Sequence, residues 1–302
     1  MNIIGKRNIF FGISLAYILF GIVIAVMWGF NFGVDFKGGT IIEIKPNNEN
    51  ISTEDIRNSL QGIDFVGNTT IQKSQDTYLI RIAFLNQEQN QKIKSILNEK
   101  IGEYEEIRFE SVGPIITKNI TKNAIISIVI ASIVIVMYIA FAFRKIPKPA
   151  SSWRFGITAI ITLAHDLLIL IFSFAIMGHF MGYQIDVLSI TAVLTVLGYS
   201  VNDTIVIFDR IRENLHRSPS KSFEQITNDS LNQTLARSIN TTITTAIPLI
   251  AILVIGGGTL KPFILALLIG IIAGAYSSIF IASPIIVIWQ NKILKKQKIN
   301  VG

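Results

Sequence analysis

Residues 124–143 read AIISIVIASIVIVMYIAFAF, twenty positions without a charged side chain. An α-helix rises about 1.5 Å per residue, so a run of this length crosses a hydrocarbon core of roughly 30 Å. The run is closed by Arg144, Lys145, Pro147, Lys148 and Pro149. Outward from it, five more apolar stretches are evident: Ile9 to Met27, Ile157 to Met177, Val187 to Phe208, Ile239 to Ile255 and Phe263 to Trp289. The composition agrees, with 16% charged residues in 302, where a soluble domain carries about 25%. These runs predict a polytopic α-helical membrane protein with six transmembrane helices, one plus five. A small α+β domain of ferredoxin-like type is expected between the first and second helices.

The first stretch follows Lys6 and Arg7 and so resembles a secretory signal. Its length and the lack of a small-x-small cleavage site predict a retained anchor instead. The expected organisation is a tail and first helix over 1–30, a polar domain over 31–121, a five-helix bundle over 122–290 and a basic tail over 291–302. Fifteen of the 27 Lys and Arg residues lie in four short segments beside apolar runs. They are Lys6 and Arg7, the loop from Arg144 to Arg154, the loop from Arg210 to Arg237, and the C-terminal tail. The loops on the opposite side, His179 to Gln184 and Gly256 to Pro262, hold only Lys261. Positive charge marks the cytoplasmic face, so both termini are expected inside and the polar domain outside.

The net charge of +7 therefore reports membrane orientation rather than nucleic-acid binding. With no cysteine, disulfides and thiol chemistry are excluded. His165, His179 and His216 lack metal-ligand spacing. Nor does a nucleophile elbow, phosphate loop or metal triad occur, so neither an enzyme nor a cofactor is expected.

The polar domain alternates strand and helix patterns. Thr40 to Lys45 reads as a β-branched strand, and Ser52 with Asp55 forms a capping-box pattern ahead of Ile56 and Leu60. Ile71 to Lys73 and Tyr78 to Phe84 read as two further strands. Asn86 opens a helix with Ile93, Ile96, Leu97 and Ile101 on one face, and Glu106 to Val112 is a last strand. The order β-α-β-β-α-β implies a small sandwich with its helices on one sheet face.

An ionisable side chain at the centre of a lipid span costs about 2.5–3.5 kcal/mol, so such residues mark function. Asp203 lies in the fourth span, behind a polar stripe of Thr191, Thr195, Gly198 and Asn202. Tyr199 and Ser200, one turn earlier, are candidate hydrogen-bond partners. Arg237 starts the antiparallel fifth span at similar depth and is the natural counter-charge: it favours the ionised carboxyl, while burial favours the protonated one. A static ion pair, or a snorkelling anchor, is the alternative for Arg237. His165 and Asp166 interrupt the third span. They sit about 100° apart around the helix and need not pair with each other. Asp166 either extends a proton relay or caps a polar contact between helices. Asn240, Thr241, Thr242, Thr244 and Thr245 before Pro248 either bond their own backbone or line a hydrated segment. Gly270, Gly274 and Ser278 continue a four-residue repeat of small residues that lets a neighbouring helix approach closely.

Five motifs carry a family resemblance. They are Gly33-Val34-Asp35-Phe36-Lys37-Gly38-Gly39-Thr40, Val112-Gly113-Pro114, the pair Val201-Asn202-Asp203-Thr204 and Phe208-Asp209-Arg210-Ile211-Arg212-Glu213-Asn214, Leu235-Ala236-Arg237-Ser238-Ile239-Asn240-Thr241, and Tyr276-Ser277-Ser278-Ile279-Phe280-Ile281-Ala282-Ser283-Pro284. In this order they resemble the SecD/SecF family of the RND-type transporter superfamily. The stretch Ile115 to Ile120 departs from the family's pattern. The resemblance implies a bacterial inner-membrane subunit of the Sec protein-export machinery. It also implies pairing with SecD, association with SecYEG and YajC, contact with unfolded preprotein and membrane lipid, and use of the proton-motive force. Asp203, Arg237 and Asn202 would belong to the proton pathway, with Asp166 and His165 beside them; Asp35, Phe36, Gly38 and Gly39 are the family motif. The competing readings are an RND-type exporter of lipids or small hydrophobic molecules, and a non-transporting scaffold for the translocon. Protons and sodium both remain open as the coupling ion.

Overall fold

The computed structural model describes residues 1–48, 50–74, 76–144, 151–218, 220–256 and 260–299. The basic turn expected at Lys145, Pro147, Lys148 and Pro149 lies outside them, as do part of the 256–262 loop and the end of the tail. After a short 3-10 turn at Ile4–Lys6, the first long helix α1 covers Arg7–Trp28. Gly29, at φ 73°, closes it in a backbone conformation that glycine adopts without strain. The chain then divides into two units, one of Phe32–Ile125 and one of Met1–Asn31 with Ile126–Gly302.

The first of these opens with one helical turn, α2 (Val34–Lys37), and continues β1 (Gly39–Pro46), α3 (Thr53–Leu60), β2 (Thr70–Ser74), β3 (Thr77–Ile82), α4 (Gln87–Ile101) and β4 (Tyr104–Val112). The sheet order is β2-β3-β1-β4 with every pairing antiparallel. This is the ferredoxin-like order expected from the element pattern. Both helix starts are built by reciprocal side-chain bonds, Ser52 with Asp55 and Asn86 with Gln89. Alternation puts Ile42, Ile44, Tyr78, Ile80 and Ile82 on one sheet face, where they pack with Ile56, Leu60, Ile93 and Leu97 from the helices. The opposite face carries Glu43, Arg81 and Arg108, so the core has one side only.

In the second unit α1 is joined by the part of α5 (Pro114–Ala142) from Ile126 onward, α6 (Ser152–Met181), α7 (Val187–Arg217), α8 (Phe223–Ile255) and α9 (Lys261–Ser277). A five-residue π-helical turn at Ser278–Ala282 then leads into α10 (Ser283–Ile299). Among the described residues, six helical segments are long and apolar enough to cross a membrane, α9 through α10 counting as one. Two boundaries differ from the sequence reading. The helix α5 begins at Pro114, so Ile115 to Ile120 is its first turns rather than a linker. The segment read as a basic loop, Arg210 to Arg237, is mostly the paired ends of α7 and α8. A capping box of Ser222 with Gln225 starts α8. Arg212–Asp209 and Arg217–Glu213 ion pairs brace α7, and buried Ile211 and Ile226 give the polar hairpin a core.

Candidate functional site

On α6, Thr158, Thr162 and Asp166 recur every fourth residue and are all buried, so this helix turns a polar stripe inward. Asp166 is 1% exposed and joins three helices. Its Oδ2 accepts from Ser200 Oγ on α7 and from Ser277 Oγ on α9, the latter at 2.7 Å. Its Oδ1 lies 2.9 Å from His165 Nδ1. Sequence spacing leaves the pairing of His165 and Asp166 open, and the two side chains close the 100° between them. Imidazole and carboxyl therefore form one unit, and Nε2 of His165 is buried without a partner. His165 also borders a mostly apolar cavity of about 320 Å³ with Tyr17 on α1 and Tyr276 on α9.

Ser200 lies one turn before Asp203, but its hydroxyl goes to Asp166, and Tyr199 donates instead to Thr241 O on α8 at 3.2 Å. Neither serves Asp203. That carboxyl is 4% exposed, and its Oδ2 is buried with no hydrogen-bond partner. Thr204 beside it pairs with Ser278 Oγ at 2.7 Å. Arg237 stands on α8, which packs against α7, and no ion pair joins it to Asp203 among the described residues. Its side chain borders a mixed polar cavity of about 410 Å³, with Asp209, Arg210 and Glu213 from α7 and Gln233 from α8.

The stripe Thr191, Thr195, Gly198 and Asn202 does not accompany Asp203 into the interior: it lies on the exposed face of α7. On α8, Arg237, Asn240 and Thr244 are exposed as well. The threonines of α8 return their hydroxyls to their own helix, Thr241 to Arg237 O, Thr244 to Asn240 O and Thr245 to Thr241 O. Asn240 and the adjoining α7 stripe remain polar groups on an outward surface.

Small residues let α9 press on α7. A Cβ on Gly274 would lie 2.9 Å from Ser200 Cα, and one on Gly270 would overlap Val196. In the sheet unit, the segment holding Asp35 and Phe36 ends in Gly38 and Gly39, at φ 75° and 130°. A Cβ on Gly39 would meet Ile82 O at 2.8 Å, so the glycine pair lets α2 turn directly into the central strand. Among residues not singled out from the sequence, Ser277 is the most consequential. The four-residue spacing of Thr158, Thr162 and Asp166 was the available signal for the inward polar face it meets.

A family model for the C-terminal region of protein export membrane proteins SecD/SecF matches residues 92–292, and one for the SecD/SecF GG motif matches residues 24–48. The chain is similar to a protein translocase subunit SecF of Thermobaculum terrenum, 43% identical over 97% of this chain and 95% of that one. It is also similar to one of Anaerolinea thermophila, 38% identical over 96% of this chain and 94% of that one. The crystal structure of SecDF, a translocon-associated membrane protein from Thermus thermophilus, superposes with a TM-score of 0.84 at 30% identity. It covers 96% of this chain, which spans 39% of that longer one.

Proposed function

The chain belongs to the SecD/SecF family of protein export membrane proteins, and from that premise we propose that it couples movement of protons to the late stage of protein export. It is a multi-pass membrane protein and an accessory subunit of Sec protein export. Relatives in which the matching region is one part of a SecDF chain support association with SecD. In this reading the partner covers the outward face of α7 and α8, where Thr195, Asn202 and Asn240 would otherwise face hydrocarbon. Both termini lie in the cytoplasm of a bacterial cell and the sheet unit in the periplasm, where it meets unfolded preprotein released by SecYEG, with YajC as an accessory.

The observation that carries the proposal is the Asp203 carboxyl, buried with one oxygen unbonded, with Arg237 on the neighbouring helix α8 as its counter-charge in this reading. Such a group can hold a proton in one arrangement and lose it in another. One charge crossing 100 mV releases about 2.3 kcal/mol, enough to bias a two-state movement by roughly fifty-fold. Asp203→Asn and Arg237→Met are expected to abolish the proton-driven part of preprotein export while the complex still assembles. Export and co-purification with SecD, measured side by side in cells carrying either variant, test this. Undiminished proton-dependent export from Asp203→Asn refutes it.

A further inference from the structure

The last membrane span changes its winding midway. Pro284 has no N–H to donate, and its ring excludes the carbonyl four residues back, at Phe280. The chain answers with the π turn Ser278–Ala282, which takes one extra residue into the helix. Ser283 Oγ donates to Ser278 O at 3.1 Å, holding a carbonyl on the wider turn. At the near edge of this turn, two consecutive serines reach different helices. Ser277 Oγ bonds the Asp166 carboxyl at 2.7 Å, and Ser278 Oγ pairs with Thr204 Oγ1 at 2.7 Å. At the far end, Gln290 accepts from Arg154 on α6, and Asn291 Nδ2 reaches Glu224 at the start of α8 at 3.3 Å.

We propose that the π turn is a register hinge in the last span, and that Ser277 is the positioning residue through which the charge state of Asp166 sets it. The inference rests on the reading that carboxyl groups in this bundle exchange protons. An ionised Asp166 accepts the Ser200 and Ser277 hydroxyls on Oδ2; a protonated one carries a hydrogen of its own, and the oxygen that holds it accepts less. With that hydrogen on Oδ2, Ser200 and Ser277 cannot both keep their bonds to this oxygen. Losing the Ser277 bond frees the start of the π turn. Sliding the extra residue out of the turn rotates α10 by about 100° and moves it about 1.5 Å, the step per residue of an α-helix. That rotation pulls Gln290 from Arg154 and Asn291 from Glu224, so a proton event beside α7 reaches the starts of α6 and α8. The titratable groups around Asp166 are His165 on its own helix, Asp203 one turn beyond Ser200 on α7, and Tyr17 on α1 and Tyr276 on α9 lining the cavity beside His165. Of these, His165 bonds Asp166 directly.

Hydrogen exchange tests the hinge in the intact chain, co-purified with its partner and held in lipid nanodiscs. In the wild type, exchange of the Ser278–Ser283 amides, corrected for intrinsic rate, is expected to increase as the pH is lowered. Asp166→Asn and Ser277→Ala are each expected to raise it about tenfold at neutral pH, the signature of local opening, and to flatten its pH dependence. Peptides from α4 serve as the unaffected reference. Wild-type exchange over Ser278–Ser283 in both variants overturns the hinge, as does a pH dependence that survives in Ser277→Ala. The result is separable from the export reading: normal proton-dependent export from Asp203→Asn would defeat that reading and leave the exchange pattern to be judged alone.

Discussion

At the scale of single residues, carboxyl groups of the same type are put to opposite uses. Asp55 sits at the third position of α3, fully exposed, and accepts from the backbone N–H and hydroxyl of Ser52. These bonds to Ser52, the backbone one foremost, hold its carboxyl below the usual aspartate range. The folded state therefore binds a proton here less readily than the unfolded chain. Its stabilising contribution is complete above the ordinary aspartate value and disappears as the pH falls through the lowered one. Amide exchange at the start of α3 is expected to accelerate over that acid range. Asp55→Asn should show the faster exchange already at neutral pH and little further change on acidification. Asp166 and Asp203 have no such access to water. Around Asp166 the protein supplies the donors that water would have given, and around one oxygen of Asp203 it supplies none. The sequence marked both as expensive, since charge in an apolar run is visible at once. Which hydroxyl serves which carboxyl depends on how three helices are rotated, and no spacing within one helix contains that. Ser200 was therefore matched to the wrong aspartate, and Ser277 was passed over.

At the scale of elements, the local rules written in the chain are followed closely. Ser52 with Asp55 and Asn86 begin their helices where expected, and the alternation of Tyr78 to Ile82 gives a strand with one buried face. Those signals lie within a few residues of one another and need no partner to be read. The ends of α7 and α8 were harder. Their polar, charged sequence looks like a loop, and only their mutual burial of Ile211, Leu215, Ile226 and Leu231 makes them a helical hairpin. The π turn is a third case: Pro284 warns of a disturbance, but a kink or a break would satisfy proline equally well. The tight seam between α7 and α9 yields a direct prediction. Gly274→Leu would force its side chain into the Ser200 backbone and separate the pair, costing about 1–3 kcal/mol or more, as overpacking does in well-packed interiors. Thermal unfolding of the variant in detergent should occur earlier, and Ser277 should lose its hold on Asp166. An unchanged midpoint would mean that the helices do not meet there.

Over the whole molecule, polarity is distributed in two directions. One set of polar residues, from Thr158 through Asp166 to Ser278, turns inward and finds most of its partners within the chain. The other, on the outer faces of α7 and α8, is left exposed by the described residues. A chain that places asparagine at the surface of a membrane bundle is built to be covered there. Asn240→Leu with Asn202→Leu is accordingly expected to weaken co-purification with SecD several-fold while leaving the exchange pattern of the sheet unit unchanged; retention at wild-type level would place the partner elsewhere. Legibility follows the same division. Span number, the order of the sheet and the identity of the costly residues could all be read along the chain. The inward or outward sense of each polar stripe is a property of the assembled bundle, as Thr191 and Thr195 illustrate.

The seam between α7 and α9 also bears on how the protein is made. Synthesis delivers α7 well before α9, with all of α8 emerging between them. Until α9 has entered the bilayer, the surface around Val196 and Ser200 lies bare and Asp166 lacks one of its donors. The order of synthesis therefore sets the order of packing, and the arrival of α9 closes the seam.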